Sequence, residues 1–285
     1  MTQIGPGFLD LPARSVKPRT EGLTHVLDKG LSHMALGSLL QTAGATIDIV
    51  KLGWGTSYVS DGVRAKVQLC RRAGIHVSPG GTLLEICEAQ GRVGEYVDWL
   101  LSLQFTHVEV SNGAIGMCTE RKRELIAELA EHFVVLSECG SKDPRTEVVA
   151  EAWVEEMAGD LEAGATLLIA EARESGTVGL YSPTGEVRAD LVEEIAASLP
   201  VDRIIFEAPR KDQQAWFIRR FGASANLGNI ASDEAIALET LRLGLRSDTL
   251  DLLPSGGSRE RSTGRDPGRA AQVSLGHIRG ARAHP

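Results

Sequence analysis

Cysteine is scarce in this 285-residue chain: Cys70, Cys87, Cys118 and Cys139 are widely spaced and form no CxxC pair. A structural thiolate metal site is therefore not expected, and no spacing demands disulfides. Reduced thiols in a cytoplasmic protein are the simplest reading. His25, His33, His76, His107 and His132 fall at no metal-ligand spacing. No stretch of about 18 apolar residues exists, and the N-terminus lacks an apolar run of signal-peptide length. The expectation is a soluble, unexported protein without a membrane partner. Lys and Arg number 30 against 38 acids, for a formal net charge of -8. Nucleic-acid binders favour basic faces, so no nucleic-acid partner is expected. No repeat of solenoid type is visible.

What is present suits one large core. The chain is 42% hydrophobic, and its length fits a single (β/α)8 barrel of roughly 250 residues plus extensions. Residues 1–20 hold three prolines and three basic residues and read as an irregular lead-in. From 251 to 285 the composition shifts to six arginines against three acids, opening with Pro254-Ser255-Gly256-Gly257-Ser258. Few apolar residues recur there, so a disordered tail is expected. The acidity belongs to residues 21–250, the expected barrel.

Eight short apolar strands are expected near 23–28, 47–52, 75–79, 106–110, 134–138, 166–171, 203–207 and 224–227. Helical sequence follows each one, near 33–43, 61–73, 82–103 (broken at Gly91 or Gly94), 119–131, 144–163, 188–198, 211–221 and 232–244. Strand-then-helix alternation eight times over predicts a TIM-type barrel of α/β class. Thr82-Leu83-Leu84-Glu85 has the spacing of a capping box, and Asp143-Pro144 that of a capped helix start. In this fold the chemistry sits at the C-terminal ends of the strands.

Those ends carry Asp28, Lys51, Glu109, Glu138, Glu171, Glu207 and Asn226. Alternate barrel residues face the interior. Lys51 shares its face with Ile49, Glu138 with Leu136, and Glu171 with Ile169, so these polar residues form a top layer over an apolar filling. Carboxylates brought that close repel one another. Either their pKa values rise, a cation binds, or each pairs with a neighbouring Lys or Arg. Oxygen ligands without a His/Cys cluster favour a hard ion such as Mg²⁺. The metal candidates are Glu109, Glu138, Glu171 and Glu207, with Asp28 next.

Glycine turns share the same rim: Gly53-Trp54-Gly55, Pro79-Gly80-Gly81-Thr82 and Ser175-Gly176. Glycine lets backbone N–H groups approach an anion, although βα turns use glycine anyway. Lys29, Lys51, Lys142, Arg173 and Lys211 supply nearby cations. Together they suggest a small, multiply anionic substrate held by Lys29, Gly80, Gly81, Thr82, Asn112, Ser175, Gly176, Asn226 and Asn229. Trp99, Trp153 and Trp216 read as packing between helices and barrel, and Trp54 as a possible wall of the site.

The strings Val26-Leu27-Asp28-Lys29-Gly30, Lys51-Leu52-Gly53-Trp54-Gly55-Thr56-Ser57, Pro79-Gly80-Gly81-Thr82, Glu171-Ala172-Arg173-Glu174-Ser175-Gly176, Ile205-Phe206-Glu207-Ala208-Pro209 and Asn226-Leu227-Gly228-Asn229-Ile230 occur in that order. Together they resemble the phosphosulfolactate synthase family across about residues 21–250. The resemblance implies a barrel, Mg²⁺ dependence, and addition of sulfite to phosphoenolpyruvate to give (2R)-phospho-3-sulfolactate. That product belongs to coenzyme M formation in methanogens and to sulfolactate in some bacteria. The family also includes plant heat-stress-associated proteins whose role is not clearly this reaction. One departure is local: the family suggests two lysines after the strand-5 glutamate and glycine, and Ser141-Lys142 stands here. Lys142 is accordingly the expected general acid, beside Glu138, with Lys51 or Arg173 binding anions. A Schiff-base aldolase using Lys51 and a non-catalytic heat-stress-type protein are the alternatives. A homo-oligomer is expected.

Overall fold

Residues 6–140 and 148–254 are described by the computed structural model. Eight strands run β1 Thr24–Asp28, β2 Ile49–Leu52, β3 His76–Pro79, β4 His107–Val110, β5 Val134–Cys139, β6 Leu167–Ala170, β7 Ile204–Glu207 and β8 Asn226–Ala231. All ladders are parallel, in the order β3-β2-β1-β8-β7-β6-β5-β4. Among the described residues no ladder joins β3 to β4, so the barrel is nearly closed. Side chains bridge that seam: the Val77 N–H donates to Thr106 Oγ1 at 3.3 Å, and the His76 and His107 rings lie 4.3 Å apart.

The helices are α1 His33–Ala43, α2 Thr56–Val59, α3 Val63–Arg72, α4 Gly81–Ala89, α5 Val93–Leu103, α6 Thr119–Ala130, α7 Ala150–Glu162, α8 Ala189–Ser198, α9 Lys211–Phe221 and α10 Ala235–Arg242. Among them none is long and apolar enough to cross a membrane. Their buried faces form the main core against the outside of the sheet. A separate small cluster of Ile49, Leu136, Ile169 and Ile205, edged by Val134 and Leu167, fills the barrel interior. That is the face on which alternation places Lys51, Glu138, Glu171 and Glu207.

Two local expectations change, the capping box at Thr82 and the start of β8. Thr82 caps nothing: α4 begins at Gly81, and Glu85 is drawn away to accept from Ser111 Oγ at 2.5 Å and from the Ala114 and Ile115 amides. The break after α4 falls at Gly91, one of the two expected positions, whose φ is +64°. Strand β8 starts at Asn226 and continues through Gly228 and Asn229, a pair whose turn-like composition hides a strand. Asp143-Pro144, Lys142 and the arginine-rich tail lie outside the described residues. The lead-in has no regular structure from Pro6 to Leu23 but is tied to the barrel. Arg14 pairs with Glu239 at 2.9 Å, Arg19 with Asp48 at 3.0 Å, and Lys17 Nζ donates to the Gly44 and Ile47 carbonyls.

Candidate active site

Ile49 faces the barrel interior, so Lys51, two residues on, points inward at the end of β2. Its Nζ lies 2.7 Å from Glu109 Oε2, 2.6 Å from Glu138 Oε1 and 3.6 Å from Glu207 Oε1. Burial alone would pull the Lys51 pKa down, but Glu109, Glu138 and Glu207 overcome it and hold the ammonium well above its ordinary range. This argues against a neutral Lys51 amine, which Schiff-base chemistry requires.

The four carboxylates are not equivalent. Glu109 is the deepest. Its Oε1 accepts from Ser78 Oγ at 2.8 Å and faces His25 Nε2 at 3.2 Å. Burial pushes its pKa up, but Lys51 and His25 prevail and hold it below the usual carboxylate range. Glu207 behaves oppositely. Burial, with Glu138 and Glu171 nearby, lifts its pKa well above the usual value against Lys51 and the Ala172 N–H, which donates to Oε2 at 2.8 Å.

Glu138, Glu171 and Glu207 line a cavity of about 350 Å³ at the C-terminal ends of the strands, together with Lys51 and Arg173. One wall is the start of α4, with Gly80, Gly81 and Thr82, where no side chain caps the helix. Glycine is required there. A Cβ on Gly81 would fall 2.5 Å from Ser111 Oγ, and one on Gly80 would fall 2.6 Å from the Trp54 amide nitrogen. Leu27, Trp54, Glu174 and Asn229 complete the lining. Trp54 and Asn229 both have φ of +52°, a left-handed conformation that costs free energy outside glycine and recurs at functional sites. Asn229 Oδ1 is buried without a hydrogen-bond partner.

Several sequence candidates lie elsewhere. Asp28 turns toward the helix layer, where Lys66 Nζ meets Oδ2 at 2.6 Å and the Gly30 and Leu31 amides donate to Oδ1. Asn226 stands at the N-terminal end of β8, accepting from the Leu23 N–H at 2.9 Å and donating to the Asp202 carbonyl at 2.8 Å. Lys29 is exposed and pairs with Glu174 at 3.4 Å. Ser175 is exposed with its Oγ 2.8 Å from Thr177 Oγ1, and the Gly176 carbonyl accepts from Gln213 Nε2 at 2.9 Å. Asn112 is half-buried in the loop after β4 and does not line the cavity. Lys211 pairs with Asp248 at 2.8 Å. Conversely, His25 and Ser78 were not singled out. Their signal was strand parity: His25 lies two residues before Leu27, and Ser78 pairs in register with Lys51.

A family profile described as (2R)-phospho-3-sulfolactate synthase matches residues 12–248. A phosphosulfolactate synthase of Methanothermobacter thermautotrophicus is 44% identical over 246 residues, which is 84% of this chain and 95% of that protein. Those of Bacillus subtilis and Methanocaldococcus jannaschii are 41% and 42% identical, covering 86% and 80% of this chain and 98% and 93% of theirs. In fold alone the chain resembles 3-hexulose-6-phosphate synthase from Salmonella typhimurium, at TM-score 0.51 and 14% identity over 81% of this chain and 98% of that one. It also resembles dihydrodipicolinate synthase from Agrobacterium tumefaciens, at TM-score 0.50 and 11% identity over 82% and 79%. With strand-end charges gathered at one cavity and near-complete collinear matches to these synthases, the chain belongs to the (2R)-phospho-3-sulfolactate synthase family.

Proposed function

We propose that this protein adds sulfite to phosphoenolpyruvate, giving (2R)-phospho-3-sulfolactate. The observation that carries the reading is family membership along the whole barrel, on a cavity whose charges suit that reaction. Sulfite sulfur attacks C3, and the alkene electron pair moves toward the carboxylate, giving an enediolate. A proton then joins C2. Lys51 brings fixed positive charge to the cavity floor, worth most where water is excluded. The uncapped start of α4 offers backbone N–H groups to an anionic oxygen, and Arg173 adds a cation at the rim.

Magnesium fits the residues present. Glu138, Glu171 and Glu207 are hard oxygen donors around one cavity, and the orphaned Asn229 Oδ1 is a fourth. Glu109 is left out of that set because it lies below the cavity and does not line it, with Lys51 Nζ 2.7 Å from its Oε2. Bound there, Mg²⁺ would supply positive charge for the developing enediolate. Lys142 is the proposed proton donor to C2 on the sequence pattern described above. The four cysteines are unpaired, which suits the reducing cytoplasm. Exposed Tyr58, Val59 and Ile86 around one groove support a homo-oligomer, which light scattering would establish.

The test follows the loss of enol ultraviolet absorbance with and without sulfite. Consumption of phosphoenolpyruvate only when sulfite and Mg²⁺ are both present is the expected result. No consumption with both present would refute the reaction, and activity unchanged by strong chelation would refute the metal. The aldolase alternative gains no support, since Lys51 is held as an ammonium ion. The heat-stress alternative gives no reason for charges converging on one cavity.

A further inference from the structure

His25 takes no part in the chemistry derived so far, yet it sits directly beneath it. It lies on β1 facing the barrel interior, with a side chain 0% exposed. Its Nε2 is 3.2 Å from Glu109 Oε1, and its Nδ1 has no hydrogen-bond partner. The two nitrogens fix the tautomer. A proton on Nδ1 would orphan a buried donor and leave the Nε2 lone pair facing a carboxylate oxygen. A proton on Nε2 donates to Glu109 and leaves only a lone pair unmet at Nδ1, the milder defect. The ring also has reserved space. A Cβ on Gly228 would fall 3.1 Å from His25 Nδ1 and 2.8 Å from Ile205 Cγ2.

Glu109 therefore receives His25 and Ser78 on one oxygen and Lys51 on the other. Among the described residues it is the one ion-pair partner of Lys51 that lies below the cavity instead of lining it. Glu138 and Glu207 compete for the same ammonium from the cavity wall, at 2.6 and 3.6 Å. Without a fixed Glu109, Lys51 would follow them. We propose that His25 is a positioning residue: by donating Nε2–H to Glu109 it anchors that carboxylate, which in turn holds the Lys51 ammonium at the cavity floor for an anionic substrate. This rests on the proposed role of Lys51 in the sulfite addition.

The experiment compares His25→Leu, which keeps bulk and removes the donor, with His25→Gln, whose amide N–H reaches close to the lost Nε2 position. Full-length proteins are assayed for sulfite-dependent phosphoenolpyruvate loss with Mg²⁺, after thermal melts establish folding. A misplacement of about 1 Å can cost about 10²-fold, so kcat/KM of His25→Leu should fall by roughly 10- to 100-fold, with Gln restoring most of it. An unchanged Leu variant, or equal losses in folded Leu and Gln variants, overturns the proposal, because packing alone would then be at work. Long-range ¹H–¹⁵N NMR of the wild-type imidazole needs neither variant nor turnover. A proton on Nε2 is expected, and a bare Nε2 beside a protonated Nδ1 overturns the proposal even if the Leu variant fails to fold. Wild-type protein that consumes no phosphoenolpyruvate refutes the proposed reaction instead, and the NMR result then decides the positioning on its own.

Discussion

Lys122 offers the sharpest test of what holds the active end of β5 in place. It lies on the buried face of α6 with Leu125, Ile126 and Leu129, and its side chain is 0% exposed. Its Nζ lies 2.6 Å from Glu156 Oε1, 2.8 Å from Asp160 Oδ2 and 2.7 Å from the Glu138 carbonyl. Asp160, also 0% exposed, accepts from Ser137 Oγ at 2.7 Å and from Cys139 Sγ at 3.2 Å. Ligand atoms of Cys139, Glu156 and Asp160 fall within 4.8 Å of one another, but the Lys122 ammonium already supplies the positive charge there. Burial would lower its pKa, and the acidic neighbours raise it above the ordinary lysine range.

Lys122→Met keeps the stem and removes the charge, leaving the buried Asp160 with the partly exposed Arg123, whose Nε lies 3.8 Å from Oδ1. Breaking a buried pair from one side costs about 3–5 kcal/mol. For a domain of this size each kcal/mol moves Tm by about 2–4 °C, so a drop of roughly 6–20 °C is expected. Lys122→Met with Asp160→Asn removes the stranded charge and keeps an acceptor for Ser137. The double variant should be clearly more stable than the sum of the two singles. Urea and thermal unfolding measure all four proteins. A Lys122→Met loss below about 0.5 kcal/mol, the size of an ordinary surface change, or strict additivity in the double variant, would refute the reasoning.

Gly81→Ala should cost about 1–3 kcal/mol through overpacking against Ser111 and lower kcat/KM, with Ser111→Ala restoring part of both; a wild-type melt and rate in Gly81→Ala would contradict the clash. Burial, with His76 and His25 nearby, pulls the His107 pKa down to about 3. An unfolded histidine titrates near 6.5, so the unfolded chain alone takes up this proton as pH falls from about 6.5 toward 3, and stability drops by up to ~1.4 kcal/mol per pH unit, with no such loss above that window. Urea midpoints at pH 7 and pH 5 should converge in His107→Gln, and an unchanged pH slope would remove His107 from the account. Lys142→Ala should lower turnover about 10²-fold or more, and near-normal turnover in Lys142→Arg would take Lys142 out of proton transfer, because arginine keeps the charge but hardly gives up a proton.

Much of the site was legible because barrel strands alternate strictly. Ile49 before Lys51, Leu136 before Glu138 and Ile205 before Glu207 are enough to aim three side chains at one point, and the interior cluster is built from those isoleucines and leucine. The same rule shows why Asp28 misled. It follows Leu27, which lines the cavity, and so must face the other way, where Lys66 receives it. The other errors are long-range in origin. Glu85 has capping-box spacing from Thr82, but Ser111, 26 residues away, captures it. Gly228 reads as a turn because nothing local reveals that the His25 ring and Ile205 leave no room for a Cβ.

The charge balance of the cavity leads to one more prediction. Among the described residues its lining presents Glu138, Glu171, Glu207 and Glu174 against Lys51 and Arg173. Glu174 is exposed and already faces Lys29, and Lys51 is shared with the deeper Glu109. A multiply anionic substrate entering such a wall meets repulsion that a low dielectric amplifies. Burial, with Glu138 and Glu171 nearby, raises the Glu207 pKa, a sign of how unfavourable that gathering of negative charge is. A hard divalent cation held by those carboxylates would offset much of it. On the function proposed here, phosphoenolpyruvate should therefore bind weakly to metal-free protein and at least about tenfold more tightly with Mg²⁺, a gain of about 1.4 kcal/mol. Calorimetric titration in chelator and in Mg²⁺, each without sulfite, reads this directly. Equal affinities in the two would show that the residues of the chain alone neutralise the cavity, and would remove the cation from substrate binding whatever its part in the reaction.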